Sequence, residues 1–304
     1  MLPFEQKPGG AVRVVAPAKV NIFLHITGRR SNGFHELESL FAYTEQGDRL
    51  LIEEHHEPEL SLTGPFAEQL AAAGGADSSN LVYGALLLLA EKFACSANVK
   101  ITLEKNLPIA AGIGGGSADA AAALIGLCAY WGKWLPIVEL EAIAFQLGAD
   151  VPSCLHAVPL LVRGVGESFE LAEMPGGLGI VLVNPHEGIS TPQVFEAYKA
   201  NADTKFDEPL VTIPSGVMAF YAFLRDETHN ALQGPATKLC PEIGVILEAL
   251  DRTPDCRYSG MSGSGATCFA LFDTLKAAEA ASNRLKSSHS KWWVHADSLR
   301  KPIE

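Results

Sequence analysis

Apolar residues alternate with polar ones, or run together, over residues 11–16 and 20–26, and both segments are expected to be strands. A polar turn follows at 29–33. Segments 38–43 and 48–53 have the same strand pattern, and 55–58 break the second. A three- to four-residue period then takes over. It predicts a helix over 80–94, capped by Ser78 or Ser79. Val99–Glu104 is a short alternating strand that leads into a glycine-rich segment, and a helix is expected over 117–131. Residues 137–146 read as a further helix, stopped by Gly148. The second half carries a buried strand at 179–183, a helix at 192–200, a helix at 241–250, a strand at Cys268–Phe272 and an amphipathic helix at 276–285. Strands interleaved with helices, then a second set of both, predict an α+β protein of two domains, and 304 residues suffice for two.

The segment Leu107-Pro-Ile-Ala-Ala-Gly-Ile-Gly-Gly-Gly-Ser-Ala-Asp changes this picture from fold to chemistry. It places Gly112, Gly114, Gly115 and Gly116 close together, with Ser117 and Asp119 at the start of an alanine-rich helix. Glycines let backbone approach a bulky anion, and a helix start adds free N–H donors and the positive end of the dipole. Together they suggest a phosphate cradle. A Walker A loop is excluded, because no Lys follows before Lys133. A dinucleotide fingerprint fails too: Ser117 stands at its closing position, and no acid lies between Asp119 and Glu139. The plainer alternative is a flexible loop before a buried helix.

Charge narrows the partners. The formal net charge is −12, which disfavours nucleic acid and anionic membrane. Hydrophobic residues make up 48% of the chain, enough for a sizeable core, yet no apolar run is long enough to span a bilayer. The six cysteines form no Cys-x-x-Cys pair and read as reduced residues of a cytoplasmic protein. The polar first ten residues do not look like a signal peptide.

Single residues stand out against the pattern. Lys19 and Asn21 lie on one face of an otherwise apolar strand, which suggests a site, although a lone strand Lys is usually at an edge. Asp150, after a helix stop and before Pro152, could simply cap a short turn. His35 could be an ordinary surface or core histidine, and Phe195 a core residue of its helix. Residues 260–265 form a second glycine-rich loop, which could be a simple turn.

The glycine segment resembles the second motif of the GHMP kinases, roughly Pro-x-x-x-Gly-Leu-Gly-x-x-Ser-Ser/Ala. Ile113 replaces the usual Leu, and Ala118 replaces the second Ser of many members. Pro17-Ala-Lys-Val-Asn-Ile-Phe-Leu-His-Ile, Asn32-Gly-Phe-His-Glu-Leu, Gly148-Ala-Asp-Val-Pro152 and Met261-Ser-Gly-Ser-Gly-Ala266 resemble further motifs of one branch. The resemblance runs from about residue 13 to about residue 273. It implies a ribosomal protein S5 domain 2-like N-terminal domain over 1–160 and a ferredoxin-like C-terminal domain over 161–304. It also implies phosphorylation, with ATP and Mg²⁺, of the 2-hydroxyl in a cytidine diphosphate methylerythritol substrate, a step of the non-mevalonate route to isoprenoid precursors. ATP would lie on Pro108, Ala110, Gly112, Ile113, Gly114, Gly115, Gly116, Ser117 and Ala118. Lys19 and Asp150 would be catalytic, Asp150 as the base. Asn21, Phe34, His35, Asp150, Thr191 and Phe195 would hold the substrate, with His35 reading the cytosine edge and the aromatic rings covering its faces. Phe34 departs from the usual Tyr, which keeps a ring and loses a hydroxyl. The metal ligands are not identified. A homoserine or mevalonate kinase-like enzyme is the alternative within the family. An RNA-binding module is the alternative outside it, disfavoured by the acidic charge and by the presence of both Lys19 and Asp150.

Overall fold

The computed structural model describes residues 1–199, 206–210 and 212–301. Its elements in chain order are β1 (Phe4–Gln6), β2 (Val12–Arg29), β3 (His35–Glu54), β4 (Glu59–Thr63), α1 (Ala67–Ala72), α2 (Leu81–Lys92), β5 (Val99–Glu104), α3 (Gly115–Trp131), α4 (Ile137–Leu147), α5 (Val151–His156), β6 (Leu160–Gly164), β7 (Ser168–Leu171), β8 (Gly179–Asn184), α6 (Thr191–Lys199), α7 (Val217–Glu227), α8 (Gln233–Leu239), α9 (Glu242–Asp251), β9 (Tyr258–Met261), β10 (Cys268–Phe272), α10 (Leu275–Ser288) and β11 (Trp293–Ser298). The last residue of the helix expected over 192–200 falls outside the described residues.

Two compact units share the chain. One holds Met1–Ala18, Gln46–Ile109 and Gly114–Ala157; the other holds Lys19–Glu45, Ala110–Ile113 and Val158–Glu304. The first unit's last segment ends at Ala157, and the segments Lys19–Glu45 and Ala110–Ile113 are grouped with the second unit. The pairs of strands expected over 11–26 and 38–53 are in fact single long strands, β2 and β3. A strand does not stop where its hydrophobic pattern falters if its backbone still finds a ladder partner.

In the first unit β1 pairs antiparallel with the start of β2, the end of β3 pairs antiparallel with β5, and β4 runs parallel to β5. The alternation along β5 buries Val99, Ile101 and Leu103. Helix α3 lies against these strands. Its run from Ala118 to Ala129 is buried, and at Gly126 a Cβ would stand 2.6 Å from the Ile52 side chain. The cap of α2 is Asn80, whose side chain accepts from the Val82 N–H; neither Ser78 nor Ser79 caps it.

In the second unit the first part of β3 pairs with β6, and β6 with β7. A separate antiparallel sheet runs β11-β8-β10-β9. Every residue of β8 and β10 is buried. Helix α10 packs on β8 and β11, and α9 on β9 and β10. This sheet-and-helix layer accounts for Trp292 and Trp293. Trp292 packs into the core and donates its indole N–H to Glu242 at 2.8 Å, and Trp293 starts edge strand β11.

Candidate functional site

Helix α3 begins on a glycine. Gly114 is its N-cap, at φ 61°, and the first intrahelical bond runs from the Ala118 N–H to the Gly114 carbonyl. The N–H groups ahead of Ala118 have no acceptor within the helix, as at every helix start. Ala118 itself is fully buried with its N–H engaged, so it can shape the cradle but not donate to it. Pro108 and Ile113 are buried, and Ala110 is exposed at φ 49°.

Two glycines of this loop separate structural from other reasons for glycine. At Gly112, φ is 74° and a Cβ would stand 2.5 Å from the Ser262 carbonyl oxygen and 2.7 Å from that of Gly265. Gly112 is therefore required by the fold. At Gly116, in the first turn of α3, φ is not positive and a Cβ would meet nothing within 4 Å. Nothing the protein itself packs there asks for glycine, which costs roughly 0.5–1 kcal/mol relative to Ala inside a helix.

The second glycine loop holds the first in place. Ser262 Oγ accepts from the Asn21 N–H at 3.0 Å and donates to the Gly112 carbonyl at 2.9 Å. The Thr267 N–H donates to the Ala111 carbonyl, and the Lys19 N–H to the Ile113 carbonyl at 2.9 Å. Residues 110–113 are thus stitched to both β2 and the turn between β9 and β10.

Lys19 and Asn21 are both buried on β2. The Lys19 ammonium sits 4.2 Å from the centre of the Phe41 ring. Asn21 donates its amide N–H to Ser39 Oγ at 2.8 Å, while its Oδ1 is buried with no hydrogen-bond partner among the described residues. A buried acceptor left unpaired is costly unless something donates to it. Asp150 stands just before α5 and makes no capping bond with its side chain.

His35 is buried and stacks on Phe195, ring centres 5.2 Å apart and planes 19° apart, with Tyr198 edge-on at 5.6 Å. Burial first, then the charges of Lys199 and Arg29, push its pKa below the ordinary histidine value. Neutral imidazole offers one donor and one acceptor. Phe34, by contrast, is 63% exposed, and Thr191 Oγ1 pairs with Ser264 Oγ at 2.8 Å.

Sequence reasoning missed one cluster altogether. Buried Lys105 donates from Nζ to Asp48 Oδ2 and, at 2.6 Å, to Asp119 Oδ2. The signal was present as charges in apolar surroundings, at Asp48 inside β3 and at Lys105 just past β5, but the separation of Asp48 and Lys105 in sequence concealed the contact.

Among the described residues no three or more His, Cys, Asp or Glu side chains gather as a metal site, and no helix is long and apolar enough to cross a membrane. Comparison with known proteins agrees with the motifs. The family description "GHMP kinases N terminal domain" matches residues 80–157, and "GHMP kinases C terminal" matches 218–291. A 4-diphosphocytidyl-2-C-methyl-D-erythritol kinase of Rhizobium leguminosarum bv. trifolii is 43% identical over 284 residues, covering 92% of each chain. The crystal structure of a 4-(cytidine 5'-diphospho)-2C-methyl-D-erythritol kinase superposes with a TM-score of 0.76 at 33% identity, covering 94% of this chain and 98% of the other. A homoserine kinase from Cytophaga hutchinsonii shares the fold, with a TM-score of 0.71 at 17% identity over 98% of each chain. On its motifs, its two matched domains and its full-length relatives, the chain belongs to the GHMP kinases.

Proposed function

We propose that this protein transfers the γ-phosphoryl group of ATP to the 2-hydroxyl of 4-diphosphocytidyl-2-C-methyl-D-erythritol, in the cytoplasm and on the non-mevalonate route to isoprenoid precursors. The observation that carries the phosphate assignment is Gly116, a helix-start glycine where a Cβ would meet nothing within 4 Å among the described residues. The phosphates would lie on the N–H groups of the Gly112 to Ser117 segment. Mg²⁺ would enter with ATP as part of the substrate and would supply charge neutralisation on the phosphates.

Asp150 takes the proton of the attacking hydroxyl. The oxygen then bonds to the γ-phosphorus as the bond to the β-phosphate oxygen breaks, and ADP leaves. The Lys19 ammonium would offset charge in the transferring group. The unpaired Asn21 Oδ1 accepts from a hydroxyl of the methylerythritol unit. Neutral His35 bonds the cytosine edge, beside Phe195 and with Phe34 and Thr191 at the rim. The base would have to enter next to an existing His35–Phe195 stack, which keeps the imidazole plane fixed before binding.

A coupled ADP-release assay tests this. Turnover is expected with the cytidine diphosphate substrate and not with homoserine or mevalonate. Faster turnover of either of the latter two would reject the assignment.

A further inference from the structure

Three groups in the first unit form a staple beneath the start of α3. Asp48, on β3, is fully buried. Its Oδ1 accepts from the backbone N–H groups of Asn106, at 2.5 Å, and Leu107, at 2.8 Å, just where the chain leaves β5 for the glycine loop. Its Oδ2 accepts from Lys105 Nζ, and the same ammonium donates to Asp119 Oδ2 on α3. One cation thus joins the chain before the loop to the helix after it. The clearance is small: a Cβ at Gly115 would stand 3.1 Å from Lys105 Nζ.

Lys105 is 2% exposed, with its charge committed to two carboxylates. It is not placed as a phosphate-binding lysine. Burial opposes its charge, but attraction to Asp119 and Asp48 outweighs that, so its pKa moves up and it stays an ammonium. Burial pushes the Asp119 pKa up from the ordinary carboxylate value, and attraction to Lys105 opposes that rise. A buried pair of this kind contributes little net stability compared with apolar residues of the same shape, and is better suited to fixing one geometry. The geometry fixed here is the spacing between residues 106–107 and the free N–H groups ahead of Ala118.

We infer that Lys105, bridging Asp48 and Asp119, is a positioning residue that sets the first turn of α3 for the nucleotide phosphates. This rests on the phosphate-loop reading above. The staple's hydrogen bonds join residues 48, 105–107 and 119 around the glycine loop, so its loss is expected to act on ATP and not on the acceptor. A misplaced donor array no longer matches the phosphates, and an ångström of misplacement can cost about a hundredfold in rate.

The test uses the full chain with Asp119→Ala, Asp119→Leu (which fills the space), Asp119→Asn (which keeps an oxygen for Lys105) and Gly114→Val. ATP binding is read by calorimetry, and KM is measured for each substrate. The expected result is a rise of about ten- to a hundredfold in the ATP dissociation constant and KM for the Ala or Leu variant, with the acceptor KM within about twofold. Asp119→Asn should restore ATP binding. A folded Ala or Leu variant with unchanged ATP affinity, or with both KM values raised alike, overturns the inference. So does a case in which neither variant folds while Asp119→Asn is normal, since Asp119 would then serve the fold alone. Gly114→Val separates the two levels. If it leaves ATP affinity unchanged, the phosphate-loop reading itself has failed. If it abolishes binding while Asp119→Ala does not weaken it, only the staple is rejected.

Discussion

At the scale of single residues, the sharpest contrast is between a cap and a base at Asp150. Asn caps a helix about as well as Asp, and the Asp150 side chain makes no cap bond in any case. Asp150→Asn is therefore expected to leave folding intact and to lower kcat by about 10²–10⁴, the usual cost of losing a general base. A kcat within about threefold of the parent would rule out the base assignment. His35 gives a second expectation. Because its pKa is lowered, it stays neutral through neutral pH and gains a proton only on the acid side of the ordinary histidine range. The KM for the cytidine substrate should rise as pH falls there, the KM for ATP should not, and His35→Ala should remove that difference. Parallel pH profiles for the two KM values in the parent enzyme would count against base reading. Both residues stood out in the sequence by their motifs. The His35–Phe195 stack did not, because it joins β3 to α6 across a long stretch of chain.

At the scale of elements, the two glycines of the loop should respond in opposite ways. Gly112→Ala puts a Cβ against two carbonyl oxygens in a left-handed conformation and should lower the melting temperature by several degrees, as about 1–3 kcal/mol of strain would. Gly116→Ala meets nothing and gains helix propensity, so the fold should be unchanged or more stable by up to about 1 kcal/mol. ATP affinity should nevertheless fall for Gly116→Ala. Thermal melts with and without ATP read both effects. If Gly116→Ala binds ATP like the parent, the first turn of α3 does not approach the phosphates. At this scale β5, α3, α4, β8 and β10 follow the hydrophobic period closely. The period did not reveal β1, β4, β6, β7, β9, β11, α1, α5, α7 or α8. Most of these are short or lie at edges, where pairing with a neighbour, not the segment's own pattern, decides the conformation.

At the scale of the whole molecule, acid stability should be governed by buried His25. Its ring packs on Phe23 and His229, its Nε2 accepts from the His229 N–H at 3.3 Å, and Asp207 and Glu38 are the nearby acids. Burial lowers its pKa more than Asp207 raises it. Below about pH 6.5 the unfolded chain binds a proton that the folded chain resists, so stability falls as pH drops through and below that value. His25→Gln keeps an acceptor for the His229 N–H and should flatten the fall in melting temperature between about pH 7 and 5. An unchanged slope would place the acid sensitivity elsewhere.

The sequence by itself determined the α+β class, the glycine loop before α3, the polar face of β2 and the family. These depend on local period, on backbone freedom and on residues adjacent in the chain. The tertiary structure alone decided that β2 and β3 are continuous, that residues 19–45 and 110–113 belong with the second unit, and that Ser262 ties Asn21 to Gly112. It alone brought Lys105 between Asp48 and Asp119. Each of these outcomes is a pairing between groups far apart in sequence. A buried donor or charge must find a partner, and which partner it finds depends on how the strands and helices pack, not on its neighbours in the chain.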